Sequence, residues 1–424
     1  MLKVFGRLAP DRGVTGTRAS GPGSAGSTGR ATAILIALRV GYAYNWFDIG
    51  PGLLSLGAEF RVGSASWGLL VAAFLVGAGL MQVPAGLLAR RSGARAVSLW
   101  GVGLLAVGGL ASALAPSFAV LLATRIVAGV GAGLFFSPAI GLVASLYPEG
   151  RRGLPVGTFS SAYSAGAGLG VLGSSLLIPL IGWRGSMAVG GLVLGLLVLL
   201  ALVLIPVTAG AAPPPSRRPP GRWPRALTSR AAWAVGLAFI GMEGAAFATG
   251  QFIVPFGETV RGWSIALAGV IGMMFIVPSL FGGPVGGPVA ERDRHHRTQF
   301  VVVTLVGAGV LTLIPFLGVA ATILVGVVFS FSYGFVYAVM YVLPHYWTDI
   351  PAEEVPLAIG LFNSIQLAGG AAVAFLFGWL VSVSSYAVAW EVLAGTVGLT
   401  LVALVALPRT PAARPEVAAA DARP

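Results

Sequence analysis

The sequence predicts an all-α integral membrane protein, with twelve transmembrane helices arranged as two pseudo-symmetric six-helix bundles. Three observations predict it. Of the 424 residues, 56% are hydrophobic and only 9% are charged, whereas a soluble domain carries about 25% charged residues; this chain cannot cover a water-facing surface with polar groups. The apolar residues fall into twelve runs separated by short loops, each near the ~20 residues that a spanning helix needs. The second half also repeats landmarks of the first at an offset of about 200 residues.

In order, the spans are expected at 31–57, 66–89, 95–115, 117–146, 155–180, 186–206, 231–257, 264–290, 298–317, 319–344, 355–381 and 386–407. Residues 1–30, rich in Gly, Ser and Arg, read as a disordered cytoplasmic arm without a signal-peptide core. Residues 31–206 form the first bundle and 231–407 the second. Between them 207–230, "VTAGAAPPPSRRPPGRWPRALTSR", reads as a cytoplasmic linker whose prolines disfavour helix. Residues 408–424 read as a disordered cytoplasmic tail.

The net charge of +12 raises the question of nucleic acid, but its distribution answers differently. With the N-terminus inside, the arm, Arg90, Arg91, Arg95, Arg151, Arg152, the linker, Arg292, Arg294, Arg297 and the tail all lie on the inner side. Only Arg61, Arg184 and Arg261 lie outside, which is the positive-inside pattern of a cytoplasmic membrane protein with both termini cytoplasmic. No nucleic-acid partner is needed. There is no Cys, hence no thiol nucleophile or thiolate metal site, and the three His lie in or near loops, two of them in an Arg-rich run. An enzyme, a metal site and a cofactor are therefore not expected.

The repeat rests on two matches. "GLLARR" (86–91) corresponds to "GPVAER" (287–292), and "GTFSSAYSAGAG" (157–168) to "GLFNSIQLAGGA" (360–371). Two halves around a basic linker are the architecture of transporters, which bind solute near mid-membrane between the repeats.

These residues resemble the major facilitator superfamily over about 31–407. In span four "RIVAGVGAG" fits the family's R-x3-G-x3-G motif through Arg125, Gly129 and Gly133. The loop "GLLARRSGAR" fits the G-x-L-a-D-R-x-G-R pattern through Gly86, Arg91, Gly93 and Arg95, and departs from it at Arg90, where the family usually has Asp. Glu291 and Arg292 stand at the equivalent places of the second copy. The resemblance implies that this loop latches helices in one conformation without touching solute. In span five Gly166, Gly170 and Gly173 match a motif of the antiporters, but Val171 and Ser174 replace its Pro and last Gly. "NWFDI" (45–49) is similar to the N-Y-x-D-R signature of the anion:cation symporter branch, with Ile49 in place of its Arg.

The charges inside the membrane are the functional candidates, since an ionisable group at the bilayer centre costs ~2.5–3.5 kcal/mol on insertion scales. Asp48 lies nine residues before Gly57, about 14 Å below the outer surface; Arg125 lies eight after Ser117 on an antiparallel span, about 12 Å below it. An Asp48–Arg125 pair is thus possible, as a structural tie or as a gate opened by protonation or solute. Arg39, nine residues before Asp48, lies on the opposite helix face and is expected to snorkel toward the inner surface. Glu243 is near the middle of span seven, with no basic residue at its depth in the second half. Desolvation disfavours a charged carboxylate there, which makes Glu243, then Asp48, the candidate for proton coupling; a permanently protonated structural acid is the alternative.

Tyr333, Tyr337 and Tyr341 form a stripe on span ten, while Asn363 and Gln366 share a face of span eleven. Helix packing explains the tyrosines alone. With Asn45, Gln251, Asn363 and Gln366, Tyr333 and Tyr337 are expected to line a cavity for a moderately polar solute. The function expected is secondary active transport of a small organic solute by alternating access, coupled to protons, by a monomer in the bilayer. The solute would be an organic anion or a partly apolar metabolite. Proton-driven export of drug-like hydrophobic compounds is one alternative. A sensor or assembly factor that keeps the fold without transporting is another.

Overall fold

The computed structural model describes residues 25–148, 151–210, 224–292, 295–347, 350–351 and 354–406. Among these there is no strand. Ten helices are long and apolar enough to cross a membrane. One of them, Gly153–Leu204, supplies spans five and six, because Gly182 turns the chain within it at φ 72°. Span one is broken into Ala25–Phe47, a 3-10 turn Gly50–Gly52 and Leu53–Phe60, and it completes the twelve. The break has a local cause: Pro51 has no N–H to donate, and glycine flanks it on both sides.

The remaining spans are Ser64–Ser92, Ala94–Ala113, Phe118–Ser145, Arg230–Arg261, Ile265–Ala290, His296–Phe316, Val319–Val342, Val355–Val383 and Tyr386–Val405. Two boundaries differ from expectation. Residues 25–30, expected in the arm, are continuous with the helix Ala25–Phe47 of span one. Within the linker, Arg225–Thr228 is a short helix, and its Ala226 N–H donates to Glu354 at 3.0 Å. The rest of the arm, most of the linker and the tail lie outside the described residues.

The glycine motifs of spans four and five mark the places where helices touch backbone to backbone. A Cβ at Gly129 or Gly133 would collide with the carbonyls of Phe74 and Ala78 on span two, and at Gly166 or Gly170 with those of Val40 and Tyr44 on span one. Small residues let helices approach this closely where no aqueous hydrophobic effect drives them together.

The two halves meet along spans two and eleven, where Ser364 Oγ donates to the Gly79 carbonyl at 3.0 Å. Spans one and seven meet at the stacked rings of Phe47 and Phe247, 5.3 Å apart. Spans five and eight meet at Ser164 and Ser279, whose hydroxyls are 2.8 Å apart. Between spans five and six, Arg184 ties the first half together. It donates to Glu59 Oε1 and to the carbonyls of Ala113 and Ala115, while Trp183 Nε1 donates to Glu59 Oε2. These bonds hold the Glu59 carboxyl below its usual range, the Arg184 contact first and burial acting against it.

Candidate functional site

Glu243 sits at the middle of Arg230–Arg261, buried to 4% exposure. Gly370 on span eleven makes room for it: a Cβ there would lie 3.3 Å from Glu243 Cγ. Tyr333 Oη donates to Glu243 Oε2 at 2.8 Å. Among the described residues Glu243 has no ion-pair partner, so its neighbours satisfy one carboxyl oxygen and leave the charge uncompensated.

Tyr333 also lines a small cavity, about 20 Å³ and enough for one water, between the halves. Phe47 and Tyr163 come to it from the first half, Phe247, Phe275 and Ser330 from the second. The expected stripe of span ten continues away from it. Tyr337 Oη is 2.9 Å from Tyr341 Oη, and Tyr341 Oη donates to Asn363 Oδ1 at 3.0 Å. Gln366 Nε2 donates to the same oxygen at 2.8 Å. So Tyr333, Tyr337, Asn363 and Gln366 are brought into one polar strip, with Glu243 at its head.

Asn45 and Gln251 are not part of that strip. The Asn45 amide donates to the carbonyls of Gly41 and Gly190 and fastens span one to span six. Gln251 Nε2 donates to the Trp46 carbonyl at 2.8 Å, and its side chain packs on Gly50. It is a tie between the halves rather than a wall of the cavity. In both cases a buried backbone carbonyl, freed or approached where span one breaks, takes the amide that sequence reasoning assigned to solute.

Asp48 and Arg125 do meet: Arg125 Nη1 is 3.9 Å from Asp48 Oδ1, and both residues are about 1% exposed. The contact is an ion pair rather than a hydrogen bond. The guanidinium donates instead to the Asn45 carbonyl at 3.4 and 3.5 Å and lies over the Phe74 ring. Asp48 accepts no side-chain hydrogen bond. The pair is internal to the first half.

Arg39 overturns its expectation. It does not snorkel; it is 5% exposed, with its guanidinium over the rings of Tyr42, Phe136, Phe159 and Tyr163 at 4.7, 4.3, 5.5 and 4.7 Å. Its Nε and Nη1 have no hydrogen-bond partner. Sequence reasoning missed this residue and Tyr163 as site candidates. The available signal was the spacing of Phe159 and Tyr163, four residues apart on one face of span five.

In the loop expected to act as a latch, Gly93 takes φ 85° and joins spans two and three. Arg95 donates to the carbonyls of Ile205 and Leu202 and closes the end of span six. Gly86 has open space beside it, and Arg91 and Arg292 are exposed. The side chain of Glu291 lies outside the described residues. No group of three His, Asp or Glu able to hold a metal occurs among the described residues.

The sequence profile described as Major Facilitator Superfamily matches residues 35–349. A stretch of 101 residues, 24% of this chain and 21% of the relative, is 40% identical to the methylenomycin A resistance protein of Streptomyces coelicolor. Another of 145 residues, 34% of the chain and 32% of the relative, is 32% identical to the 4-hydroxybenzoate transporter PcaK of Pseudomonas aeruginosa. The chain thus spans between a fifth and a third of the length of these relatives. Among solved structures, a bacterial homolog to the human lysosomal transporter Spinster, inward-facing and unoccupied, superposes with a TM-score of 0.69. The superposition covers 90% of this chain and 96% of that one at 17% identity, a likeness of fold alone.

Proposed function

Because the chain belongs to the major facilitator superfamily, we propose that it is a proton-coupled secondary transporter that moves a small organic solute, an organic anion or a partly apolar metabolite, across the cytoplasmic membrane by alternating access. Both termini and the 207–230 linker face the cytoplasm in this reading, and 31–206 and 231–407 rock as two bodies about the cavity. The observation that carries it is Glu243: a carboxylate at mid-span, without a cation partner among the described residues, hydrogen-bonded to a tyrosine that lines the space between the halves. A group so placed is exposed to each side in turn as the halves rock, and burial makes its charge sensitive to protonation. Tyr333, Tyr337, Asn363 and Gln366 offer hydrogen bonds to the solute, and Phe47, Phe247 and Phe275 offer apolar walls.

The test is Glu243→Gln in proteoliposomes. The amide keeps shape and hydrogen bonding but releases no proton. Solute counterflow should persist while accumulation driven by a pH gradient is lost. Accumulation at the unaltered rate would remove Glu243 as the coupling site and leave Asp48 as the next candidate.

Similarity to a methylenomycin A resistance protein, together with the aromatic cavity walls, favours a second reading: export of drug-like compounds. The sign of the pH gradient that drives movement separates the two.

A further inference from the structure

We propose that Arg39 is the binding residue for the carboxylate of an aromatic or similarly apolar monoanion, and that this anion and one proton cross together with no net charge. The proposal rests on the transport reading above and names its solute class.

A guanidinium that is 5% exposed, with Nε and Nη1 unpartnered, is a buried charge whose neighbours are almost all ring faces. Ring faces attract a cation but accept few hydrogen bonds, so Nε and Nη1 are left free to donate to a carboxylate. One of those rings decides what the fork serves. Tyr163 stands over Arg39 and also lines the cavity between the halves. It stands between the guanidinium and the cavity that Tyr333, the hydrogen-bond partner of Glu243, lines from the other side. Rotation of Tyr163 opens a path from the cavity to the guanidinium, and the Phe47, Phe247 and Phe275 rings remain to hold an apolar body.

Charge then links the solute to the proton. Asp48 and Arg125 compensate each other, which leaves Arg39 and Glu243 as the uncompensated pair of opposite sign at the site. The titratable groups around Glu243 are Tyr333, which is bonded to it, Tyr337 and Tyr341, which continue that stripe, and Tyr163, which lines the same cavity as Tyr333; all are phenols, neutral in the working pH range. With no solute and Glu243 ionised, the site is neutral. With a monoanion on Arg39 and a proton on Glu243, it is neutral again. The two mixed states carry a net charge inside a low dielectric and are disfavoured. Alternating access between the two neutral states moves one proton with each anion.

The experiment uses the whole chain in detergent and in proteoliposomes. The probes are benzoate, phenylacetate and 3-phenylpropionate, each beside its amide. Carboxylates should raise the melting temperature and amides should not. Arg39→Gln should weaken carboxylate binding about 10- to 100-fold, the loss of a charge-assisted contact, and Arg39→Lys should restore part of it. Glu243→Gln should keep it. Uptake of the best probe should be unchanged by a potassium diffusion potential. The proposal is overturned if amides stabilise as well as carboxylates, if no carboxylate gives a specific shift, if Arg39→Gln keeps full affinity, or if uptake follows the potential. The carboxylate–amide comparison in the unaltered protein decides the matter even should Arg39→Gln fold poorly. Failure here leaves the Glu243 test standing, and a Glu243→Gln protein that still accumulates solute leaves carboxylate binding at Arg39 standing.

Discussion

Removing Arg125 should harm the protein more than removing both Arg125 and Asp48. At 3.9 Å, two unit charges attract by about 4 kcal/mol at an effective dielectric near 20. Arg125→Gln leaves Asp48 buried, about 1% exposed and without a side-chain hydrogen bond; stranding one member of a buried pair costs about 3–5 kcal/mol. Adding Asp48→Asn removes the stranded charge, so the double variant should recover most of the loss, with a coupling of roughly 3 kcal/mol or more. The assay is unfolding in mixed micelles of a mild detergent and dodecyl sulfate, taken around the full cycle of four proteins. Solute counterflow on the same four reports whether the pair also serves movement. If the single losses add to the double within about 0.5 kcal/mol, the two groups do not sense each other and the reasoning fails.

Two further outcomes are expected. A protease site inserted after Pro214 should be cut only from the cytoplasmic side, since the basic clusters then face inward; cleavage in intact cells by added protease would reverse the orientation. The Glu59–Arg184 contact should be sensitive to acid. Its carboxyl is held below the usual range by Arg184, so its stabilisation is present above the unfolded value near ~4.3 and fades as pH falls through the lower folded value. Glu59→Gln should therefore lower the melting temperature at pH 7 and have no effect below the folded value. An equal loss at both ends of that range would show that the charge is not what matters.

Much of this was legible along the chain because the bilayer is a demanding solvent. Spans two, three and four lie within a few residues of where apolar run length puts them, since backbone polar groups in hydrocarbon leave helix as the only choice. Depth made a meeting of Asp48 and Arg125 possible, since two antiparallel spans and 1.5 Å per residue bring them to one level; packing brings them to 3.9 Å. Glu243 followed from the absence of any cation at its depth.

What depth and helix face cannot supply is the identity of the neighbour. The sequence put Arg39 on the helix face away from Asp48 and expected it to reach the inner surface. Only packing showed that this face meets Phe136 of span four and Phe159 and Tyr163 of span five, and that its guanidinium stays inside instead of reaching the surface. Asn45 and Gln251 were polar and buried as expected, yet their amides turned to the carbonyls of Gly190 and Trp46. A buried amide takes the acceptors that packing brings to it: besides Gly41 of its own helix, Asn45 finds one 145 residues away, and Gln251 finds one 205 residues away. Helix, level and charge are properties of a span and its solvent, so the sequence by itself determined them. Partners are properties of two spans at once, so only the tertiary structure decided which side chains face the solute space and which merely hold its walls.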